Sequence, residues 1–197
     1  MSIPSLDDPI ELFHSWFAEA AADSSIAEPS AMTLASASRD GFPSARIVLL
    51  KAYDGRGFVF YTNLGSRKAQ ELAANPLAAL CFFWMPLDKQ IRVEGAVERV
   101  TDAEADAYFA TRPRESQVGA WASRQSQAYA ERIDMEERLK RHSAEFEARD
   151  VPRPDFWSGF RVVPERIEFW LKQPFRLHDR LQYTRTDQGW KIDRLFP

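Results

Sequence analysis

The chain has 197 residues, with 26 Lys or Arg, 29 Asp or Glu and a formal net charge of −3; 45% of it is apolar and 28% charged. This is ordinary globular composition, which excludes a disordered, collagen-like or low-complexity chain, and the near-neutral charge leaves too weak a positive field for a nucleic-acid partner. The single cysteine, Cys81, excludes an intramolecular disulfide and a cysteine-rich zinc site.

A chain of this length buries roughly 70% of its unfolded surface, enough for one core without staples. One unit over 1–197 is therefore expected, with 1–30 as an N-terminal helix and loop. No apolar run reaches the roughly 18 residues of a membrane-spanning helix. The acidic N-terminus lacks the basic start of a signal peptide, so the expected location is the cytoplasm, with no membrane partner.

Asp8-Pro9 has the form of an N-cap and first helical position. Ile10, Phe13, Trp16, Phe17 and Ala20 then recur at helical spacing, and Asp23 to Ser30 is polar loop. A strand over Met32–Ser38 is expected to turn at Arg39-Asp40-Gly41 into a second over Ala45–Tyr53. After a turn at 54–57, Phe58–Thr62 returns as a strand. Ser66 can cap a short helix that ends at Asn75-Pro76. Leu77–Met85 and Lys89–Val100 read as strands around a turn, and Cys81 as a small core residue.

Asp102 is expected to cap a helix through Thr111, which Pro113 interrupts. Ser126–Arg149 reads as one long charged helix with Ile133 and Leu139 buried. After a stiff Val151–Pro154 link, strands are expected over Phe160–Leu171, Arg180–Thr186 and Trp190–Phe196. Hairpins interrupted by helices argue an α+β fold, an antiparallel sheet or barrel with helices around it. No G-x-G-x-x-G supports a Rossmann fold.

Several groups could bind anions. Arg46 and Lys51 flank Ile47, Val48, Leu49 and Leu50; five apart on a regular strand, they would face opposite sides. Strand ends that simply reach water fit the same spacing. Tyr61, Thr62, Arg67 and Lys68 run into a helix N-terminus, which suits a phosphate, or equally a capped helix with surface charges. Tyr108, Arg112 and Ser116 lie four apart and all donate hydrogen bonds; a second phosphate clamp and a solvated face are both compatible. Arg176-Leu177-His178-Asp179-Arg180 either needs anionic partners or is an exposed basic turn. Three scattered histidines make no metal site, and without G-x-S-x-G nothing points to a hydrolase.

Taken together, the motifs resemble the pyridoxine/pyridoxamine 5′-phosphate oxidase family. They are Arg46–Lys51, Tyr61-Thr62 with Gly65–Lys68, Lys89–Gly95, Arg112–Ser123 with Gln125-Ser126, and Phe156–Arg161. Glu168–Trp170, Arg176–Arg180 and Trp190–Pro197 complete the set, so the resemblance runs from about residue 30 to the end. It implies an FMN-binding split β-barrel, antiparallel and Greek-key-like with surrounding helices, working as a homodimer with the flavin at the interface. It implies FMN contacts at Arg46, Ile47, Val48, Leu49, Leu50, Lys51, Tyr61, Thr62, Arg67, Lys68, Gln90, Gln125, Ser126, Trp170 and Arg180.

By the same resemblance Lys51, Tyr108, Arg112 and Ser116 hold the substrate phosphate. Arg176, Leu177 and His178 meet the pyridine ring, Arg176 and His178 as the catalytic pair that orients it. The implied reaction oxidises phosphorylated B6 vitamers to pyridoxal 5′-phosphate with O2, in vitamin B6 biosynthesis and salvage. A related flavin oxidase of the phenazine-biosynthesis type, or a non-catalytic flavin- or pyridoxal-phosphate-binding protein, is the alternative. Lys89 and Phe175 depart from the family's commoner residues beside Gln90 and Arg176.

Overall fold

A computed structural model describes residues 2–129 and 131–197; Met1 and Ala130, both within the expected 1–197 unit, lie outside them. The first helix, α1 (Pro9–Ala22), starts where expected, with the Asp8 side chain accepting from the Ile10 amide at 2.8 Å. Then come β1 (Ala31–Ala37), β2 (Pro43–Leu49), β3 (Ala52–Asp54), β4 (Gly57–Asn63), α2 (Arg67–Ala74), β5 (Leu77–Trp84) and β6 (Lys89–Arg99). The helices α3 (Asp102–Thr111), α4 (Arg114–Ala122) and α5 (Arg132–Glu145) precede β7 (Trp157–Leu171), β8 (Asp179–Thr186) and β9 (Gly189–Arg194).

All strand pairs are antiparallel, in the order β2-β1-β5-β6-β7-β4-β3. The two ends of this path, β2 and β3, are joined by only Leu50 and Lys51. A link that short requires the sheet to curl until its ends meet, since extended chain spans at most about 3.6 Å per residue. Leu50 N–H still bonds the Ser30 carbonyl on the β1 side, while Lys51 N–H bonds Val59 on β4. The expected continuous strand Ala45–Tyr53 is therefore two strands, broken where the chain changes partner.

The barrel is split at β7. Residues 157–162 of this long strand pair with β4, and residues 166–171 pair with β8, which carries β9. On its other edge β6 pairs with residues 160–171 through a register shift at Glu94/Gly95. A Cβ at Gly95 would sit 1.9 Å from the Val163 carbonyl oxygen, so the shift depends on a residue without a side chain.

The barrel interior is aromatic. Phe13 of α1 is fully buried and makes edge contacts with Tyr53, Phe58 and Phe82 at centroid distances of 4.8, 4.8 and 5.3 Å. A second cluster, Phe109, Val118, Phe146, Val151 and Trp157, seats α3, α4 and α5. The α2 helix is tied to the barrel by the buried Glu71 carboxylate, which accepts from Ser36 at 2.6 Å and also from Ser44, Arg46 and Arg67.

Three other expectations are corrected. Thr101, not Asp102, caps α3, because its hydroxyl and Glu104 form a reciprocal capping box. The 126–149 helix is α5 alone, and Ile133 and Leu139 are exposed; Arg138 turns inward instead, its Nε donating to the Ala122 carbonyl at 2.7 Å. Cys81 is only half-buried, because β5 directs Leu80 and Phe82 into the barrel and Cys81 to the opposite face. No helix among the described residues is long and apolar enough to cross a membrane.

Phe13→Ala should cost about 3–5 kcal/mol of stability in denaturant unfolding, the range for truncating a buried aromatic. For Glu71, burial raises the carboxyl pKa, but the four side-chain donors outweigh it and hold the pKa at about 2. A lowered native pKa stabilises the fold fully above the ordinary 4.5, and that contribution is lost as pH falls toward 2. Urea unfolding at stepped pH should therefore show a shallower acid loss for Glu71→Gln than for the natural chain.

Candidate active site

The break after Leu49 opens a cleft of about 670 Å³. Its floor comes from β2 and the 50–51 link (Arg46 to Leu49, and Lys51), one wall from the end of β4 and the start of α2 (Tyr61, Thr62, Lys68). The other wall comes from α3, α4 and the loop after them (Tyr108, Arg112, Ser116, Gln125). Arg46 and Lys51, expected on opposite faces, both line it, because the strand that would have separated them is broken. Leu50, between them, buries its side chain in the barrel core and does not line the cleft.

One end is a nest of donors. Lys68 Nζ lies 3.2 Å from both Thr62 Oγ1 and Gln125 Oε1, and Thr62 donates to that same Gln125 oxygen at 2.9 Å. No carboxylate faces Lys68 in these bonds; burial, then the nearby charge of Arg46, lowers its pKa. Arg46 is braced from behind, donating to Ser36 Oγ at 2.6 Å and to Glu71 at 3.2 Å. Arg67, on the first turn of α2, bonds the other Glu71 oxygen at 2.8 Å and does not itself line the cleft.

The other end is aromatic and cationic. Tyr61, Tyr108 and Trp157 form a near-parallel cluster, Tyr61 lying 4.1 Å from Tyr108 (12°) and 5.2 Å from Trp157 (3°), with Tyr108 and Trp157 6.1 Å apart. Gly159 permits this, since a Cβ there would come within 2.7 Å of the Tyr61 ring. The Arg112 guanidinium lies 4.8 Å from the Trp157 ring centre, and its Nη1 is buried without a hydrogen-bond partner. Burial lowers the Arg112 pKa and raises that of Tyr108, so the phenol stays a donor. Pro113 does break the helix, yet Tyr108, Arg112 and Ser116 all reach the cleft, one from α3, one from the break and one from α4.

The remaining residues form a separate group on the β6–β8 side. Gln90 sits opposite Trp170, and Trp170 opposite Arg180. Arg180 bonds the buried Glu168 at 2.8 Å, and the His178 ring lies 4.6 Å from that of Trp170. Arg176 and Leu177 are exposed on the turn between β7 and β8, and Ser126 is exposed on the loop after Gln125, with φ +69°. None of these seven expected residues lines the cleft. His178 and Asp179 do not pair: the Asp179 carboxylate instead takes Ser2, the Ile3 amide and Arg194.

Two residues that shape the site carried no role in the sequence reading. Glu71 gave no signal, since only the fold sets it behind Arg46 and Arg67. Trp157 stood within the Phe156–Arg161 motif, but its stacking on Tyr61 depends on β4–β7 pairing.

A family model described as pyridoxamine 5′-phosphate oxidase matches residues 18–170, and one described as the pyridoxine 5′-phosphate oxidase C-terminal dimerisation region matches 157–197. The chain is 57% identical over 190 residues to a pyridoxine/pyridoxamine 5′-phosphate oxidase of Myxococcus xanthus, covering 96% of this chain and 92% of that one. It is equally similar, at 57%, to the enzyme of that name from Rubrobacter xylanophilus, covering 96% and 87%. Among solved structures, PhzG from Burkholderia lata in complex with tetrahydrophenazine-1-carboxylic acid superposes with TM-score 0.92 at 31% identity, covering 98% and 94%. A pyridoxamine 5′-phosphate oxidase-related, FMN-binding protein from Nostoc punctiforme shares the fold at TM-score 0.77 and 16% identity, covering 98% and 100%. With its split barrel, its cleft and these matches over nearly its whole length, the chain belongs to the pyridoxine/pyridoxamine 5′-phosphate oxidase family.

Proposed function

We propose that the chain is an FMN-dependent oxidase of pyridoxine 5′-phosphate and pyridoxamine 5′-phosphate. Both yield pyridoxal 5′-phosphate; O2 takes two electrons and two protons and leaves as H2O2, and the amine substrate also consumes water and releases ammonia. The observation that carries this reading is the charge of the cleft. Arg46, Lys51, Lys68 and Arg112 line it, and no carboxylate does among the described residues. Of these, Lys68 and Arg112 are partly buried with no anionic partner, which is costly, so the cleft is built for anionic ligands.

FMN fits this donor set. Thr62, Lys68 and Gln125, with Arg46 and Arg67 braced by Glu71, would hold its phosphate, while Ile47, Val48 and Leu49 lie along the cleft floor. Bound FMN supplies the hydride acceptor and the reoxidation by dioxygen. The orphaned Arg112 Nη1, with Tyr108, Ser116 and Lys51, would take the substrate phosphate. Pinning that phosphate leaves the substrate ring little freedom, which supplies the proximity contribution. A clamp of this kind beside a first phosphate site favours a phosphorylated substrate over a phenazine-type one.

The enzyme works as a homodimer, and the site is completed across it. Gln90, Trp170 and Arg180 would reach the flavin, and Arg176, Leu177 and His178 the pyridine ring, from the second copy. In support, the segment from Trp170 to Arg180 lies in the region matched by the dimerisation model. The apolar side chains of Ile47, Phe83, Met85 and Leu177 also stand exposed on one copy. Residues 1–197 then act as one FMN-binding unit, and the unpaired Cys81 is in keeping with the cytoplasm.

Anaerobic addition of pyridoxine 5′-phosphate to the FMN-loaded protein should bleach the flavin absorbance. Admitting air should restore it with one equivalent of pyridoxal 5′-phosphate. A flavin that stays oxidised with both substrates would overturn the assignment. Losing a charge-assisted phosphate contact costs about 1.5–3 kcal/mol, so each of two variants should weaken its own ligand roughly 10–100-fold. Arg67→Ala should raise the FMN Kd in fluorescence titration. Arg112→Ala should raise KM for the phosphorylated substrate while FMN binding stays close to that of the natural protein.

A further inference from the structure

The turn that carries Arg176 and His178 is closed on itself in an uncommon way. Phe175 and Arg176 are consecutive non-glycine residues in the left-handed region, with φ of 58° and 60°. L-residues with a bulky side chain adopt that region only when their surroundings impose it. Nothing packs on Phe175 to impose it, since its side chain is 93% exposed.

The constraint comes from the ends of the turn. On the N-terminal side, Lys172 is fixed to Asp88 twice, main chain to main chain at 3.0 Å and Nζ to carboxylate at 2.8 Å. On the C-terminal side, Asp179 is held by Ser2 Oγ at 2.9 Å, the Ile3 amide at 2.6 Å and Arg194 at 2.7 Å. Between these anchors the Gln173 amide donates to His178 Nδ1 at 3.2 Å, and the Leu177 amide bonds the Pro174 carbonyl at 3.1 Å. The Trp170 ring beside His178 limits the tilt of the imidazole.

A main-chain amide only donates, so Nδ1 of His178 must be the bare, accepting nitrogen. A neutral imidazole then carries its proton on Nε2. Neither nitrogen has a free lone pair: Nδ1 is committed to Gln173, and Nε2 bears hydrogen. We propose that the Gln173–His178 bond is a positioning hook. It holds Phe175 and Arg176 in their left-handed conformation, which aims Arg176. It also fixes His178 as an Nε2–H hydrogen-bond donor with no free lone pair, so that His178 is not the base of the oxidation. This rests on the B6-phosphate oxidase reading for the identity of the ligand, but the hook and the tautomer stand on the turn alone.

The test separates the two. Long-range 1H–15N spectra of the FMN-loaded protein, labelled at its three histidines, report which ring nitrogen is protonated. The His178 signals are identified by their loss in His178→Asn. The expected pattern is the Nε2–H tautomer; an Nδ1–H ring or a mixture overturns the proposal, whether or not the protein turns over a B6 phosphate. Amide exchange gives the second arm. Asn places an acceptor near the Nδ1 position and should preserve protection of the Gln173 amide. Gln at 178 keeps a distal donor but loses that acceptor, so exchange at Gln173 should rise about ten-fold, the equivalent of one hydrogen bond. His178→Gln should also raise KM for pyridoxine 5′-phosphate with an unchanged FMN Kd. Equal Gln173 protection in both variants and the natural chain would overturn the hook. Absence of turnover in the natural chain, with the expected tautomer, would instead overturn the substrate assignment.

Discussion

The structure depends on the two-residue link from β2 to β3. Leu50 and Lys51 connect strands at opposite ends of the sheet order, so the sheet has to curl. Leu50 drops into the aromatic interior and anchors the link, while Lys51 stays outside with Arg46. One break in a β-branched run thus closes the barrel and creates the floor of the cleft. The core around Phe13 stabilises the curled form, because the inward faces of β4 and β5 meet on the same α1 side chains.

Around that floor the electrostatics are deliberately unbalanced. Elsewhere on the surface arginines find acids, as Arg153 does with Asp102 and Asp106. At the cleft the Glu71 carboxylate lies behind Arg46 and Arg67 and orients them without entering the space in front. Lys68 and Arg112 are left with neutral partners or none, and their lowered pKa values express the cost of holding charge there. An anionic ligand bound there would offset that cost, coupling ligand binding to the stability of the site.

The split of β7 explains why the site residues fall into two groups. Its first half carries Trp157 beneath Tyr61 and builds the cleft wall; its second half carries Trp170 toward β8 and the 172–178 turn. A single copy keeps these halves of one strand apart. In the proposed homodimer site, with one copy's turn at the other's cleft, both halves would be used.

Much was legible in the residues alone. The Asp8-Pro9 and Ser66 caps, the Gly41 turn and the period-two strands rest on local chemistry, so α1, α2 and the turn between β1 and β2 emerged within a residue or two. Motif order carried the family. What the sequence could not determine was which of the expected site residues meet. Spacing put Arg46 and Lys51 on opposite faces, and the change of hydrogen-bonding partner at Leu50 put them together. Spacing left Tyr108, Arg112 and Ser116 open to a solvated reading; packing on Trp157 turned Tyr108 and Arg112 inward, and α4 brought Ser116 to the same cleft. Ile133 and Leu139 looked like core, but the second cluster was already filled by Phe109, Phe146 and Trp157. Caps, turns and periodicity act over a few residues and are written in the chain; barrel closure and the arrangement of charge around it depend on contacts between distant segments, and only the tertiary structure decides them.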